Sequence, residues 1–130
     1  MKKAALGLSV LLLASCFRSL QEPQVYEALP QVEAGKQIFT DLKCASCHSI
    51  DGSDSTGGSL ANLWGGEVLL ENGKRMTRDD AYVRRSILDS QAEVVAGRSG
   101  TMVDFSSYFE GRQNKEKEIE SLIAYLRTLK

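Results

Sequence analysis

The chain has 130 residues, of which 42% are hydrophobic and 25% charged, and its 16 Lys and Arg against 17 Asp and Glu give a formal net charge of −1. These proportions are typical of one small globular domain. They exclude a disordered chain, and the near-neutral charge provides no basic surface for binding nucleic acid. The single histidine, His48, also excludes any site that requires two imidazoles.

Residues 1–15 have the pattern of a signal peptide. Lys2 and Lys3 form a positive segment, and residues 4–14 form an apolar stretch that ends in small side chains. That stretch is too short to span a bilayer, which takes roughly 20 apolar residues. The Leu-Ala-Ser-Cys sequence that ends at Cys16 resembles a bacterial lipobox, so we expect cleavage before Cys16 and acylation of its thiol. An ordinary signal peptide that happens to contain a cysteine is the alternative.

The next segment, residues 16–30, predicts a flexible tether that begins with the acylated cysteine. It is polar, it contains both prolines of the chain, and it shows no sustained helical or strand period. We expect the remaining residues, 31–130, to form one domain. This organisation predicts an exported protein that is lipid-anchored to a membrane and faces the periplasm or the cell exterior.

The strongest motif is Cys44-Ala45-Ser46-Cys47-His48, whose Cys-x-x-Cys-His spacing is typical of covalent c-type haem attachment. Two thiols at this spacing can each form a thioether to one vinyl group of a haem, which places the adjacent imidazole under the iron. A structural zinc site would need a second pair of ligands, and a thioredoxin-like pair would need a βαβ context; the sequence shows neither. We therefore predict one haem c, attached to Cys44 and Cys47, with His48 as its proximal ligand.

Two methionines after the motif are candidates for the distal iron ligand, Met76 and Met102. Asn72-Gly73 predicts a short β-hairpin near residues 67–76, in which Leu69 would face Met76 across the ladder. Met76 is then a packing residue. Met102 lies in an irregular, glycine-containing loop that can bring a flexible thioether over an iron, and we therefore favour Met102.

Three helices are expected around this site. The first runs from about Val32 to Cys44, and the last runs from about Lys115 to Leu129. Between them, Thr77 with Asp80 three residues later resembles a capping box that opens a further helix. The apolar positions at helical spacing are Val32, Ile38, Phe39 and Leu42 in the first helix, Val83, Ile87 and Leu88 in the middle one, and Ile119, Leu122, Ile123, Leu126 and Leu129 in the last.

The haem motif, the hairpin, the middle helix, the methionine loop and the last helix follow one another in an order that makes residues 32–129 resemble class I cytochrome c. More closely, the segment looks like the cytochrome c domain fused to subunit II of some bacterial haem-copper oxidases, here as a stand-alone lipoprotein. The resemblance implies an all-α class and a small cytochrome c fold, with three to five short helices wrapped around one covalent haem. The residues that carry the resemblance are Gly35, Phe39, the Cys-x-x-Cys-His motif, Leu60, Leu63-Trp64-Gly65, Asp79-Asp80-Ala81-Tyr82, Ser86-Ile87-Leu88-Asp89, Met102, Leu122 and Tyr125.

The resemblance also implies roles for individual residues. Met102 would be the sixth iron ligand, and Leu60 and Ile87 would line the haem. The backbone carbonyl of Gly58 would accept a hydrogen bond from the Nδ1–H of His48. The implied packing of the first helix on the last one joins Gly35 and Phe39 to Leu122 and Tyr125.

Three residue pairs depart from the family's pattern, which usually has Gly-Pro after the haem motif, Asp-Pro before the methionine loop and Met-Pro at the ligand. The corresponding pairs are Gly57-Gly58, Asp89-Ser90 and Met102-Val103. Without the last two prolines, the loop around the ligand loses rigid φ restraints. We therefore expect a Met102–iron bond that is more labile than is usual for the family.

A haem bound by His and Met has no open position for a substrate and suits single-electron transfer. The sequence thus predicts a membrane-anchored monohaem carrier of a bacterial respiratory chain and not an enzyme. Its partners would be a quinol-oxidising complex and a terminal oxidase or reductase, with no small-molecule substrate and no nucleic acid.

Two other functions stay open. One is a fixed haem subunit of a larger respiratory assembly, such as alternative complex III. The other is a haem sensor or peroxidase with an open site, which requires that Met102 does not bind the iron. A basic cluster is either a docking patch or a solvated face, and it consists of Lys74, Arg75, Arg78, Arg84 and Arg85.

Overall fold

The computed structural model describes residues 26–98 and 101–130, so that the predicted signal peptide, Cys16 and most of the predicted tether lie outside it. The described part is mostly helical with one small antiparallel sheet, which confirms the predicted class. None of the helices in this part is long and apolar enough to cross a membrane. The elements in chain order are α1 (Gln31–Asp41), a 3₁₀ turn (Cys44–Ser46), β1 (Glu67–Leu69), β2 (Arg75–Thr77), α2 (Asp80–Leu88), α3 (Ser106–Phe109) and α4 (Lys115–Leu126).

Helices α1 and α4 cross in direct backbone contact at Gly35. A Cβ placed on Gly35 would overlap the carbonyl oxygen of Ser121 and would lie 2.8 Å from the Cβ of Tyr125. One turn further along, the rings of Phe39 and Tyr125 meet edge to face, with centroids 5.3 Å apart. The packing of Gly35 and Phe39 against Tyr125 confirms the implied helix crossing, which is close because glycine has no side chain to separate the backbones.

The core lies between these two helices and is extended by α2, α3 and β1. Its fully buried large side chains are Ile38, Phe109, Ile119 and Leu122. Tyr26 is buried in the same cluster, and its hydroxyl donates a 2.6 Å hydrogen bond to Asp41. Tyr26, inside the segment expected to be tether, therefore packs on the core, because its ring is apolar and its hydroxyl has a partner on α1.

The hairpin forms where it was predicted, but its register differs by one residue. Met76 is opposite Val68 and not Leu69, which is paired with Arg75. The reason is the turn: the amide of Leu70 donates to the carbonyl of Lys74, which leaves a three-residue loop, and in that loop only Gly73 has positive φ, at 81°. A two-residue type I′ turn would need positive φ at Asn72 as well.

Helix α2 is capped by Asp79 and not by a box formed from Thr77 and Asp80. The Asp79 carboxylate accepts a 2.7 Å hydrogen bond from the amide of Tyr82, as an N-cap side chain does. Thr77 cannot serve, because it is the last residue of β2 and pairs with Glu67. The capping-box prediction was therefore wrong by two positions.

The other two predicted helices end earlier than their apolar patterns suggested. Helix α1 ends at Asp41 rather than near Cys44, because Lys43 has a left-handed backbone with φ of 56° that interrupts the helix. Helix α4 ends at Leu126, although Leu129 still packs against the core from the turn beyond it. Val32, predicted on the apolar face of the first helix, is exposed in the first turn of α1. An apolar period thus marks most of the residues that face the core, and not where the hydrogen-bonded helix begins or stops.

Candidate functional site

The Cys-x-x-Cys-His motif forms a compact turn directly after α1. The left-handed Lys43 redirects the chain into the 3₁₀ turn, and the amide of His48 donates to the carbonyl of Cys44 at 3.0 Å. Cys44 is half-buried, Cys47 is exposed, and both are free thiols. The two thiols and the imidazole are thus presented by one short, hydrogen-bonded turn.

The two thiols of this turn have different surroundings. Burial raises the pKa of the Cys44 thiol to about 11. Cys44 is therefore a neutral thiol at physiological pH, and it packs against the hydrophobic core. A buried neutral thiol is a poor nucleophile and a poor metal ligand in its resting state.

The imidazole of His48 is held by the loop that follows the motif. Its Nδ1 lies 3.0 Å from the carbonyl oxygen of Gly58, and because a carbonyl only accepts, Nδ1 carries the proton. The hydrogen bond implied by the resemblance is therefore present in the structure. It leaves Nε2 as the nitrogen able to bind a metal.

The two glycines of this loop have separate reasons to be glycine. A Cβ on Gly57 would lie 2.6–2.9 Å from three atoms of the His48 ring, so only glycine lets the backbone approach the imidazole face. Gly58 has φ of +80°, which proline cannot adopt. A proline at position 58 would therefore need a different backbone path to present this carbonyl to His48.

Arg98 connects this loop to the segment that leads to Met102. Its guanidinium donates to the carboxylate of Asp54 at 2.7 Å and to the carbonyl of Ser55 at 3.0 Å, and it lies 3.2 Å from the position of a Cβ on Gly58. Arg98 and Asp54 are 44 positions apart in the chain. No local pattern signals a contact over that separation, and the sequence reasoning missed it.

Met102 is half-buried and packs against the core from a segment without helix or strand. The buried Ser90 hydroxyl donates to the carbonyl of Met102 at 2.8 Å. Three residues later the amide of Phe105 donates to the carbonyl of Ile87. The methionine loop is therefore attached to the C-terminal end of α2. In the sequence, the one signal for Ser90 is that it stands where the family usually has the proline of Asp-Pro.

The other predicted site residues lie on the same core. Leu60 is half-buried, and its amide donates to the carbonyl of Ser49 close to His48. Ile87 is buried in α2. Met76, the alternative methionine, is half-buried in β2 and packs against the core from the hairpin. Cys16 lies outside the described residues.

These residues fit a covalently attached haem. The chemistry of the donor set is right: two free thiols, an imidazole whose Nδ1 is already satisfied by Gly58, and a thioether. Apolar side chains that are only partly buried surround the core and can cover a porphyrin, namely Leu42, Leu60, Leu63, Trp64, Val95 and Phe105. Within residues 26–98 and 101–130, no three His, Cys, Asp or Glu side chains cluster as they would around a bare metal ion.

The basic cluster of the hairpin and α2 is partly neutralised by its own neighbours. Arg84 pairs with Glu116 and Glu120 of α4, Arg85 lies 2.9 Å from Glu93, and Arg75 lies 3.8 Å from Glu67 on the facing strand. These ion pairs favour the interpretation of a solvated, internally paired face over that of a docking patch.

Comparison with known families supports what the geometry suggests. The family model described as Cytochrome c matches residues 32–130. The chain therefore belongs to the cytochrome c family and is a class I cytochrome c, a class of electron carriers that bind haem c covalently. A search of curated proteins finds no match.

Proposed function

We propose that this protein is a membrane-anchored monohaem c-type cytochrome that carries single electrons in a bacterial respiratory chain, between a quinol-oxidising complex and a terminal oxidase or reductase. The observation that carries the proposal is the His48 imidazole, held through Nδ1 by Gly58 beside two free thiols. Family membership supports the haem and the electron transfer. The anchor and the partners are supported by the sequence pattern.

In this proposal, Cys44 and Cys47 hold one haem through thioether bonds, and His48 binds its iron through Nε2. Haem supplies a one-electron redox centre when it is bound. The chain's part is to fix the imidazole: the Nδ1–H bond to Gly58 selects the tautomer, prevents the ring from rotating and makes Nε2 a stronger donor. Gly57 adds close packing against the ring face.

Met102 is the proposed sixth ligand, with Leu60 and Ile87 lining the haem. Three observations support Met102: it is half-buried, it packs against the core, and its backbone is held at the end of α2. Two protein ligands leave no open position, which suits a carrier rather than an enzyme. The expected lability of the Met102–iron bond stays a prediction, which alkaline titration of the ferric protein checks against relatives that have the prolines.

Carbon monoxide binding to the reduced, haem-loaded protein tests the ligand assignment. We expect the Soret band of the wild type to stay unchanged at neutral pH and that of Met102→Ala to shift as the gas binds. Met76→Ala is the matched control, since it removes the other core-packed methionine and should leave the wild-type response. Immediate binding by the wild type would overturn the carrier function and favour an open-site sensor or peroxidase.

Acylation of Cys16 is tested separately, by expressing the full chain in a bacterium with a lipoprotein pathway. The wild type should be found in the membrane fraction as a cleaved, acylated form, whereas Cys16→Ala should lack the acyl chain and keep residues 1–15, which mass spectrometry of the intact protein distinguishes. Membrane extraction in mild detergent then distinguishes a carrier from a fixed subunit. A carrier elutes alone, whereas co-purification at constant stoichiometry with other subunits would contradict the carrier role.

A further inference from the structure

The segment around Met102 is held to the end of α2 by two hydrogen bonds. The Ser90 hydroxyl donates to the carbonyl of Met102 at 2.8 Å, and the amide of Phe105 donates to the carbonyl of Ile87 at 3.0 Å. Residues 101–105 themselves form no helix or strand. The conformation of Met102 therefore depends on contacts made by side chains and loops, and not on a hydrogen-bonded ladder.

Ser90 is buried, with 7% of its surface exposed, and its hydroxyl is part of a short chain of hydrogen bonds. The side-chain Nε2 of Gln91 donates to the Ser90 hydroxyl oxygen at 3.1 Å and to the Met102 carbonyl at 3.4 Å. The Ser90 oxygen thus accepts from Gln91 and donates to Met102. A hydroxyl that already accepts one hydrogen bond is polarised, and it therefore donates a stronger hydrogen bond in a low-dielectric environment.

We propose that Ser90 is the positioning residue for Met102: its buried hydroxyl fixes the Met102 carbonyl and thereby holds the methionine side chain in place to bind the haem iron. The inference rests on the proposed role of Met102 as the sixth ligand. Fixing the carbonyl restricts rotation about the Met102 backbone, which sets the direction of its Cα–Cβ bond. Ser90 touches neither the haem iron nor the thioether in this scheme, and it acts through the Met102 backbone.

The hydrogen bond from Ser90 should therefore affect how easily an external ligand replaces Met102 as the sixth ligand of the iron. Any external ligand must displace the thioether, and the displaced loop loses the Ser90–Met102 hydrogen bond. Without that bond, displacement becomes easier by about tenfold, the factor that corresponds to the net contribution of one buried hydrogen bond. Gln91 contributes less, because it is exposed and its bond to Met102 is long, so its loss should change the displacement by about twofold.

The experiment is a titration of the ferric, haem-loaded protein with imidazole, followed by the weak long-wavelength absorption band that reports thioether binding to the iron. We expect the apparent imidazole affinity to rise about tenfold in Ser90→Ala and about twofold in Gln91→Ala. Ser90→Thr keeps the hydroxyl and should restore the wild-type affinity. Ser121→Ala is the matched control, since it removes another buried serine hydroxyl, one that donates to the carbonyl of Lys117 within α4.

The outcomes separate this inference from the proposed function. If Ser90→Ala and Ser121→Ala bind imidazole equally well, or if Ser90→Thr behaves as Ser90→Ala does, the positioning role is overturned while Met102 remains the ligand. If Met102→Ala leaves the affinity and the long-wavelength band unchanged, the ligand assignment itself falls, and the Ser90 inference falls with it. If Ser90→Ala does not fold, Gln91→Ala provides the test. An imidazole affinity of Gln91→Ala that is no higher than that of the wild type then overturns the proposal.

Discussion

Arg98 and Asp54 form a 2.7 Å ion pair that joins the approach to Met102 to the loop that holds His48. The same guanidinium donates to the carbonyl of Ser55 and lies beside Gly58, whose carbonyl accepts from His48. The loops on which the two proposed iron ligands depend are therefore in direct contact through one arginine. We therefore expect a substitution at Arg98 to alter the surroundings of both His48 and Met102.

The first prediction concerns the pH dependence of this contact. The hydrogen bond from Arg98 holds the pKa of Asp54 below its ordinary value of about 4. A carboxyl with a lowered pKa in the folded state stabilises the fold above its ordinary pKa and loses that contribution as pH falls through the lowered value. We expect the melting temperature of the haem-loaded wild type to exceed that of Asp54→Asn from pH 7 down to about pH 4, and the difference to shrink only below that, as pH falls towards the lowered pKa of Asp54.

Differential scanning calorimetry between pH 7 and pH 3 provides the measurement. Arg98→Gln is the control, because it removes the other partner: its difference from the wild type should shrink over the same pH range and leave a pH-independent remainder from the lost bond to the Ser55 carbonyl. A difference between wild type and Asp54→Asn that stays constant over this range would contradict the assignment of the pH dependence to the ion pair.

The second prediction concerns Gly57, whose missing side chain lets the backbone lie against His48. In Gly57→Ala, the new Cβ would lie 2.6 Å from the imidazole Cε1, so the ring or the loop must move. Overpacking of this kind lowers the free energy of unfolding by about 1–3 kcal/mol. We expect that loss in chemical denaturation, together with a shifted reduction potential, since His48 is displaced from its bond to Gly58.

Gly66→Ala serves as the control for Gly57. Its nearest neighbour would be the flexible end of Arg78, at 3.1 Å, which can move aside. We expect a change within about 0.5 kcal/mol and an unaltered potential. An equal effect of the two substitutions would show that contact with the imidazole is not the reason for glycine at position 57.

The third prediction concerns the crossing of α1 and α4. Alanine is favoured over glycine inside a helix by about 1 kcal/mol, which argues for a stabilising Gly35→Ala. The overlap of the new Cβ with the Ser121 carbonyl acts against this, and backbone cannot yield as a flexible side chain can. We expect overlap to dominate, with a net loss of about 2–3 kcal/mol in chemical denaturation. Lys36→Ala, on the exposed face of α1, should be neutral; a Gly35→Ala protein as stable as the wild type would refute the close approach.

The fourth prediction contrasts two ion pairs. Arg112 donates two hydrogen bonds, of 2.6 and 2.9 Å, to Glu118, whose side chain is 6% exposed, and its guanidinium stacks over the ring of Tyr108. Arg112→Ala leaves the Glu118 carboxylate buried and unpaired, which lowers the free energy of unfolding by about 3 kcal/mol or more. Arg75→Ala breaks the exposed pair with Glu67 and should change it by less than about 1 kcal/mol. Equal losses in urea denaturation would contradict the difference in burial.

Local chemistry was readable from the sequence. The Cys44–His48 motif, the hairpin around Gly73 and the apolar face of α4 all appear where they were predicted, because each depends on neighbours within a few residues. The two wrong predictions, the hairpin register and the cap of α2, also concerned local structure. At each of these positions, however, two local structures are compatible with the same residues. Asn72-Gly73 permits two turn types, and the additional bridge between Leu70 and Val95 accompanies the three-residue loop. Thr77 can cap a helix or end a strand, and pairing with Glu67 is the observed outcome.

The sequence by itself determined the Cys-x-x-Cys-His donor set, the helical class and most of the face that each long helix turns to the core. Only the tertiary structure decided which distant groups hold the proposed ligands. The contacts between His48 and Gly58, Ser90 and Met102, and Arg98 and Asp54 span 10, 12 and 44 positions. The spacing of apolar residues reveals which side of a helix is buried. These three hydrogen bonds are instead made by loops without a periodic pattern, and the positions of those loops depend on the packing of the whole chain.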